Sequence, residues 1–337
     1  MSNVLDLSKD DRKALFVLSA EKMGVDPVII EKDFWVVFTL NHLFSSGIPT
    51  SLVFKGGTSL SKCYNVIKRF SEDVDITIAR ADLGFDLSYD ELIQKSRKAR
   101  ENLLKEMQIQ AAKFVSNTMM DSLNNSFSNN LKEDFSLTPN DDDPQSLRFY
   151  YPSIFDNQLS YIAPNIYLEC GIRGDMSPSE LRSVQAYLSY YYPEFKETAV
   201  QIPTLSPKRT FWEKATLLHA EFHRPQTSAT PPRLSRHYYD IYMLSQYSYM
   251  EQALDDIQIL KDVIRNRDLM FQSSWANYGK IMESGIKLLP ADSRKADITR
   301  DYQNMQIMFF ASAPKFEDVM DGIAEVERAV NDVVGAL

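Results

Sequence analysis

The stretch Leu52–Ile78, LVFKGGTSLSKCYNVIKRFSEDVDITI, constrains this chain more than any other. A short apolar run, Leu52-Val53-Phe54, ends in Lys55-Gly56-Gly57. A helical pattern follows, with Leu60, Cys63, Tyr64 and Ile67 spaced i, i+3, i+4, i+7 on one face. Thr58 or Ser59 is expected to cap its start, and Lys68 and Arg69 suit its negative end. Then Asp73–Ile78 alternates. Asp73, Asp75 and Thr77 fall on one face of a strand, and Val74, Ile76 and Ile78 on the other. Two glycines let a backbone approach a ligand closely, and a helix start favours phosphate. Gly56, Gly57, Thr58 and Ser59 are therefore the candidate phosphate cradle. Two carboxylates on one strand face suit a hard cation such as Mg2+, which makes Asp73 and Asp75 candidate ligands. A phosphate cradle beside paired carboxylates points to transfer of a nucleotidyl group. The competing reading is a strand–turn–helix with two exposed aspartates on an edge strand, although Asp is disfavoured in strands.

The rest of the chain bounds that reading. With 337 residues, 44% hydrophobic and 25% charged, it is globular and long enough for two cores. A net charge of -9 excludes a protein whose whole surface grips nucleic acid and leaves room for a local basic groove. Cys63 and Cys170 make no disulfide framework and read as buried thiols in a reducing cytoplasm. The N-terminal sequence has no apolar signal region, and the run Phe34–Phe38 is too short to span a bilayer, so no membrane association is expected.

Along the chain, Ser8 opens a helix. Asp26-Pro27 reads as cap and first position of a second helix reaching Phe44. The run Glu31-Lys32-Asp33 on that helix is expected to be solvated, unless the helix packs behind the glycine turn and Lys32 reaches the site. A long helix is expected over Tyr89–Met120. Residues 122–146 read as a polar inserted loop, with Asp141-Asp142-Asp143 as a solvated acidic turn. Strands return at Leu147–Tyr151 and Asn165–Gly171. In the second, Tyr167 and Glu169 share a face, and Glu169 is the candidate third carboxylate of a two-metal site. Val200–Ile202 is a further short strand. Thr210 and Glu213 fit a capping box, with Lys214 near the helix start. Arg236 and Asp240 are i, i+4 in a later helix, and helices fill the remainder. There is no Walker A sequence, G-x-G-x-x-G, H-E-x-x-H or paired C-x-x-C, and the four histidines show neither triad nor zinc spacing.

The segment KGGTSLSKCYNVIKRFSEDVDITI resembles the first motif of the AbiEii/AbiGii toxin family of nucleotidyltransferases, within the DNA polymerase β-like superfamily. The likeness extends to Glu31-Lys32-Asp33-Phe34-Trp35, to Phe211-Trp212-Glu213-Lys214, to Arg236-His237-Tyr238-Tyr239-Asp240, and to Asp301-Tyr302-Gln303-Asn304-Met305 with Pro314-Lys315-Phe316. The resemblance implies an α+β fold in two domains. A nucleotidyltransferase core of mixed sheet and flanking helices would fill residues 1–205, and a mainly helical C-terminal domain residues 206–337. The latter would face the core across a cleft and supply Lys214 and Asp240. The resemblance also implies the toxin of a toxin–antitoxin or abortive-infection system, with a separate antitoxin protein as partner and RNA, tRNA ends included, as acceptor. Where many superfamily members carry Asp as third carboxylate, Glu169 stands here.

The mechanism expected is metal-dependent. Asp73, Asp75 and Glu169 hold Mg2+ or Mn2+, and Lys55, Gly56, Gly57, Thr58, Ser59, Arg69, Ser71, Lys214 and Arg236 contact the nucleoside triphosphate. Catalysis falls to Asp73, Asp75, Glu169, Lys214 and Asp240. Ser71, two residues before Asp73, is also expected to block the site if phosphorylated. Lys208, Arg209, Lys214, Arg224, Arg233 and Arg236 favour a polyanionic acceptor. The alternatives are a small-molecule nucleotidyltransferase of the aminoglycoside-modifying kind and a nucleotide-binding module without transfer activity.

Overall fold

The computed structural model describes residues 3–155, 162–196, 200–310 and 312–335. The chain gathers into two compact units. The first comprises Met1–Cys63, Phe70–Leu87 and Lys95–Thr204, and the second Tyr64–Arg69, Ser88–Gln94 and Leu205–Leu337.

In the first unit the expected caps hold. Ser8 Oγ accepts from Asp11 N to start α1 (Lys9–Met23), and Asp26 accepts from Val28 N to start α2 (Pro27–Ser45), with Pro27 at the first turn. Helix α2 is apolar on every side, with Ile29, Ile30, Phe34, Trp35, Val36, Val37, Leu40 and Leu43 all buried. A helix of that kind must sit inside the core. Seven strands form one sheet: β1 (Leu52–Lys55), β2 (Val74–Ile78), β3 (Ser136–Asn140), β4 (Asp143–Tyr150), β5 (Ile166–Gly171), β6 (Ser179–Arg182) and β7 (Ile202–Leu205). Their order is β3-β4-β5-β2-β1-β7-β6. β1 runs antiparallel to β2, and β2 parallel to β5.

Alternation gives this sheet two unlike faces. Phe54, Ile76, Cys170, Leu168, Leu147 and Phe149 lie on one, all buried. Trp35 of α2 meets Phe149 edge-on at 5.9 Å and stacks on Tyr151 at 5.4 Å, which fixes α2 on that apolar face. The other face carries Lys55, Asp75, Thr77, Glu169, Ser146 and Arg148.

Several local expectations give way to tertiary structure. The helix after the glycine turn, α3 (Gly56–Lys62), stops before Cys63. Residue Lys55 stands at its N-cap position, so Thr58 and Ser59 lie inside it rather than capping it. The polar stretch 122–146 is not an inserted loop. A helix continues over Met120–Asn130 and buries Leu123 and Phe127 one turn apart, and β3 and β4 then pair as a hairpin turning at Asp141-Asp142. The long helix expected over Tyr89–Met120 is interrupted. Tyr89–Gln94 ends, and Arg97–Phe114 starts afresh under Ser96, whose Oγ accepts from Ala99 N. The strand expected at Val200–Ile202 lies at Ile202–Leu205.

The second unit is helical. Its helix Pro207–His223 begins with Ser206 at the N-cap and Pro207 in the first turn. The capping box expected at Thr210 is therefore not formed. Thr210 Oγ1 donates to Ser206 O at 3.3 Å, and Glu213 accepts from Arg209 Nε at 3.1 Å. Proline pre-sets the backbone for a first helical position, and that preference wins here. The helix Ser235–Ser245 is started by Asp301, whose two carboxylate oxygens accept from Arg233 N at 2.9 Å and Ser235 N at 2.8 Å. Helix Phe316–Gly335 turns Val319, Ile323, Val326, Val330 and Val334 inward. No helix among the described residues is long and apolar enough to cross a membrane.

Candidate active site

The polar face of the central strands is where the first unit concentrates its chemistry. Lys55 is the register partner of Asp75, Asp75 of Glu169, and Glu169 of Ser146. Register partners on neighbouring strands project to the same side, with strands about 4.8 Å apart. Asp75 and Glu169 thus stand side by side, Asp75 half-buried and Glu169 exposed. Asp73 lies just ahead of β2 and is also half-buried.

The glycine turn meets this row at Gly56. Its φ is +79°, in the left-handed region, and a Cβ there would lie 2.8 Å from Asp75 Cγ and overlap Asp75 Oδ2. Glycine is required twice over, for the backbone conformation and for the approach to the carboxylate. The hydroxyls expected at phosphate are turned inward. Thr58 and Ser59 are fully buried. Thr58 Oγ1 donates to Asp73 O at 2.5 Å and is hydrogen-bonded with the Ser71 hydroxyl at 2.9 Å, and Ser59 Oγ donates to Gly56 O at 2.9 Å. Thr58 therefore ties the glycine helix to the residue that opens the carboxylate strand.

The charged run of α2 is buried rather than solvated. Glu31, Lys32 and Asp33 are each no more than 3% exposed. Glu31 accepts from Ser153 Oγ at 2.8 Å and Ile154 N at 2.7 Å. Lys32 Nζ donates to Glu72 at 2.5 Å and to Ala163 O at 2.8 Å. Asp33 accepts from Lys62 Nζ at 2.5 Å and Tyr187 N at 2.6 Å. Burial pushes the Asp33 carboxyl up and the Lys62 ammonium down, and each is opposed by the other's charge. Glu72 and Lys62 were not singled out from the sequence, and Asp33 was read only as part of a solvated run. A contiguous charged triple inside a helix apolar all round was the available signal.

In the second unit, Arg69, Lys214 and Asp240 form a buried cluster. Arg69 forks onto Asp240 through Nε and Nη2, both at 2.9 Å, and Lys214 Nζ reaches Asp240 Oδ2 at 2.9 Å. Burial alone would raise the Asp240 carboxyl; Arg69 and Lys214 more than offset it and hold the group well below the usual carboxylate range. Burial pushes the Lys214 ammonium down, and Asp240 opposes that. His237 Nδ1 lies 3.4 Å from Lys214 Nζ, and burial, then Lys214 and Arg236, hold its imidazole well below its ordinary value. Arg69 itself is 3% exposed, so the structure makes it a partner of Asp240, not an open nucleotide contact. The segment bearing it is clamped by Lys68 N donating to Tyr239 Oη at 3.0 Å and Phe310 N donating to Lys68 O at 3.1 Å.

Among the described residues, no three His, Cys, Asp or Glu side chains gather around a single point suited to a metal ion. The structure brings Asp75 and Glu169 together and leaves Asp73 at the strand entry. That arrangement still fits Mg2+. This ion is commonly held by one or two carboxylates plus substrate phosphates, not by an all-protein cage.

A mixed sheet that sets carboxylates side by side on central strands, with a glycine turn against one of them, describes a nucleotidyltransferase core. The chain belongs to the family described as nucleotidyl transferase AbiEii toxin, type IV toxin–antitoxin system, whose model matches residues 39–322. The resemblance read from the motifs is borne out. The protein is a nucleotidyltransferase and the toxin of a type IV toxin–antitoxin system, which implies an antitoxin partner and a nucleoside triphosphate substrate. Among solved structures, MenT4, a nucleotidyltransferase toxin from Mycobacterium tuberculosis, aligns over 96% of this chain and 98% of its own, at 15% identity and a TM-score of 0.42. Among curated proteins, none matches the chain.

Proposed function

We propose that the enzyme transfers a nucleoside monophosphate from a nucleoside triphosphate to a hydroxyl of RNA, tRNA ends included, with Mg2+ or Mn2+ bound, in the cytoplasm. The observation that carries this reading is the parallel register of β2 and β5, which pairs Asp75 with Glu169 on the open polar face. Asp73 and Asp75 would hold the cation, with Glu169 beside them. When bound it supplies charge stabilisation of the attacking and leaving oxygens.

The chain's own residues do the rest. The Gly56-Gly57 backbone lies against the triphosphate, and Lys55, on the same face as Asp75, balances its charge. The acceptor hydroxyl attacks the α-phosphorus, the bond from that phosphorus to the bridging oxygen breaks, and pyrophosphate leaves. Glu169, the more exposed carboxylate, takes the acceptor proton. In the second unit, Asp240 joins Lys214 to Arg69 in a buried cluster beside Arg236 on the same helix. Arg69 thus acts indirectly. Ser71 contributes through Thr58 and the position of Asp73. The basic residues Lys208, Arg209, Arg224 and Arg233 support a polyanionic acceptor.

The test uses purified protein, Mg2+ and each α-32P nucleoside triphosphate in turn, with total cellular RNA as acceptor. Label is expected in RNA with the wild-type protein and to be lost in Asp75→Ala. A fully active Asp75→Ala protein refutes the carboxylate reading. Label transferred only to small molecules, such as amino sugars, refutes the RNA acceptor.

A further inference from the structure

We infer that Lys32 of α2 is a positioning residue for the carboxylates: its single ammonium fixes where both acid-bearing strands begin. This inference rests on the proposed role of Asp73, Asp75 and Glu169. Lys32 Nζ donates to Glu72, the residue before Asp73, at 2.5 Å, and to Ala163 O, on the approach to β5, at 2.8 Å. β2 and β5 are parallel and start from the same end, so one group beneath their entries reaches both. A long connection separates them in sequence, and no tight turn fixes their register, as one would in a hairpin. A slip of one residue would turn Glu169 to the apolar face, and a slip of two would move it away from Asp75.

Lys32 touches neither carboxylate site directly, because α2 packs on the apolar face of the sheet. Both members of the Lys32–Glu72 pair are under a tenth exposed. A buried ion pair is weak evidence for stability, since well-packed apolar replacements of both partners are often neutral or better. What an apolar pair lacks is direction: it cannot hold Glu72 and the Ala163 carbonyl at fixed points. The adjacent Asp33 acts in parallel on the end of α3 through Lys62.

The experiment compares full-length wild type, K32M/E72L, K32R and Asp75→Ala. Thermal melting, affinity for Mn2+ alone, and kcat and KM for transfer from labelled triphosphate to total RNA are measured. K32M/E72L is expected to melt close to wild type, with kcat down about tenfold or more at little-changed KM, because small misplacements of reacting groups cost about that much. Its Mn2+ affinity is expected to fall as well, a change that a purely structural role with intact melting would not produce. K32R keeps a charged donor for both acceptors and should recover most of kcat. A folded K32M/E72L protein with wild-type kcat and Mn2+ affinity overturns the inference. If that double variant fails to fold, Lys32→Met alone, which removes the donor to both Glu72 and Ala163 O, replaces it, and wild-type kcat and Mn2+ affinity there overturn the inference equally. Wild-type transfer by Asp75→Ala would instead sink the underlying carboxylate reading. An inactive Asp75→Ala beside a fully active K32M/E72L sinks only the positioning role. If wild type labels no RNA, the Mn2+ affinities decide.

Discussion

Gly56→Ala separates backbone strain from active-site geometry. Gly56 has φ +79°, and placing an alanine in the left-handed region costs about 1–2 kcal/mol. Gly24, at the end of α1, has nearly the same φ of +72°, but a Cβ there meets nothing within 4 Å. Gly24→Ala therefore carries the strain alone. At Gly56 the new Cβ falls on the Asp75 carboxylate, 2.8 Å from its Cγ, so Asp75 must swing away or the turn must shift. Displacing a reacting group by about 1 Å costs roughly a hundredfold in rate, which is about 2.7 kcal/mol of barrier. Gly24→Ala should lose a few degrees in a thermal melt, and Gly56→Ala at least as much. Only Gly56→Ala should lose transfer of labelled nucleotide, by roughly a hundredfold. Equal activity in the two variants would show that the contact between the turn and Asp75 has no part in the reaction.

Three further outcomes follow from the buried charges. Asp240→Asn leaves Arg69 and Lys214 buried against a neutral group and should destabilise the protein by about 3–5 kcal/mol. Because the folded Asp240 carboxyl is held low, its contribution is complete above an unfolded value of about 3.9 and is lost as pH falls below it. The melting gap between wild type and variant should therefore be constant from pH 5 to 8 and narrow near pH 3, and an unchanged gap at pH 3 would refute the linkage. Burial pushes the His42 imidazole down to about 4, with Phe38 4.1 Å away and Ser126 Oγ bonded at 2.7 Å. The unfolded chain then binds the proton first, so stability should fall by about 1.4 kcal/mol per pH unit from pH 6.5 toward 4 on account of this group. Urea melts of His42→Gln should show a shallower fall over that window. Asp301→Ala removes the acceptor for Arg233 N and Ser235 N and should cost about 1–2 kcal/mol, read as a lower melting temperature.

What could be read in the sequence depended on whether the governing interaction was local. The caps at Ser8 and Asp26-Pro27, the alternation of Asp73-Val74-Asp75-Ile76, and the placing of Glu169 on a strand all rest on neighbours in sequence, and all stand in the structure. The end of α3 did not follow its periodicity. Tyr64–Arg69 leave the helix for contacts in the second unit, among them an isolated bridge between Arg69 and Phe309. The strand expected from Leu147 is the inner half of a hairpin whose outer strand, β3, was hidden by composition. β3 carries Pro139, which an edge strand tolerates because one side needs no ladder bonds. Leu137 is its one buried apolar residue, too little to announce a strand among polar neighbours. Nor does a sequence state which residue of β5 stands beside Asp75, because parallel strands share no turn from which to count.

The charged residues of the family motifs therefore divide by the face they occupy. Asp75, Glu169 and Lys55 lie on the polar side of the sheet, half-buried or exposed. Glu31, Lys32 and Asp33 lie behind the apolar side, where every charge has a partner in protein: Glu31 holds the chain after β4, Lys32 the entries of β2 and β5, and Asp33 the ends of α3 and of the segment leading to Tyr187. Asp240 repeats the logic in the second unit by joining Lys214 to Arg69. A motif read as a string of reactive groups would assign all of these to substrate. Burial separates them, because an ion pair excluded from water exchanges stability for direction. Substitutions behind the sheet should accordingly act on kcat through geometry, and those on its polar face through the chemistry itself.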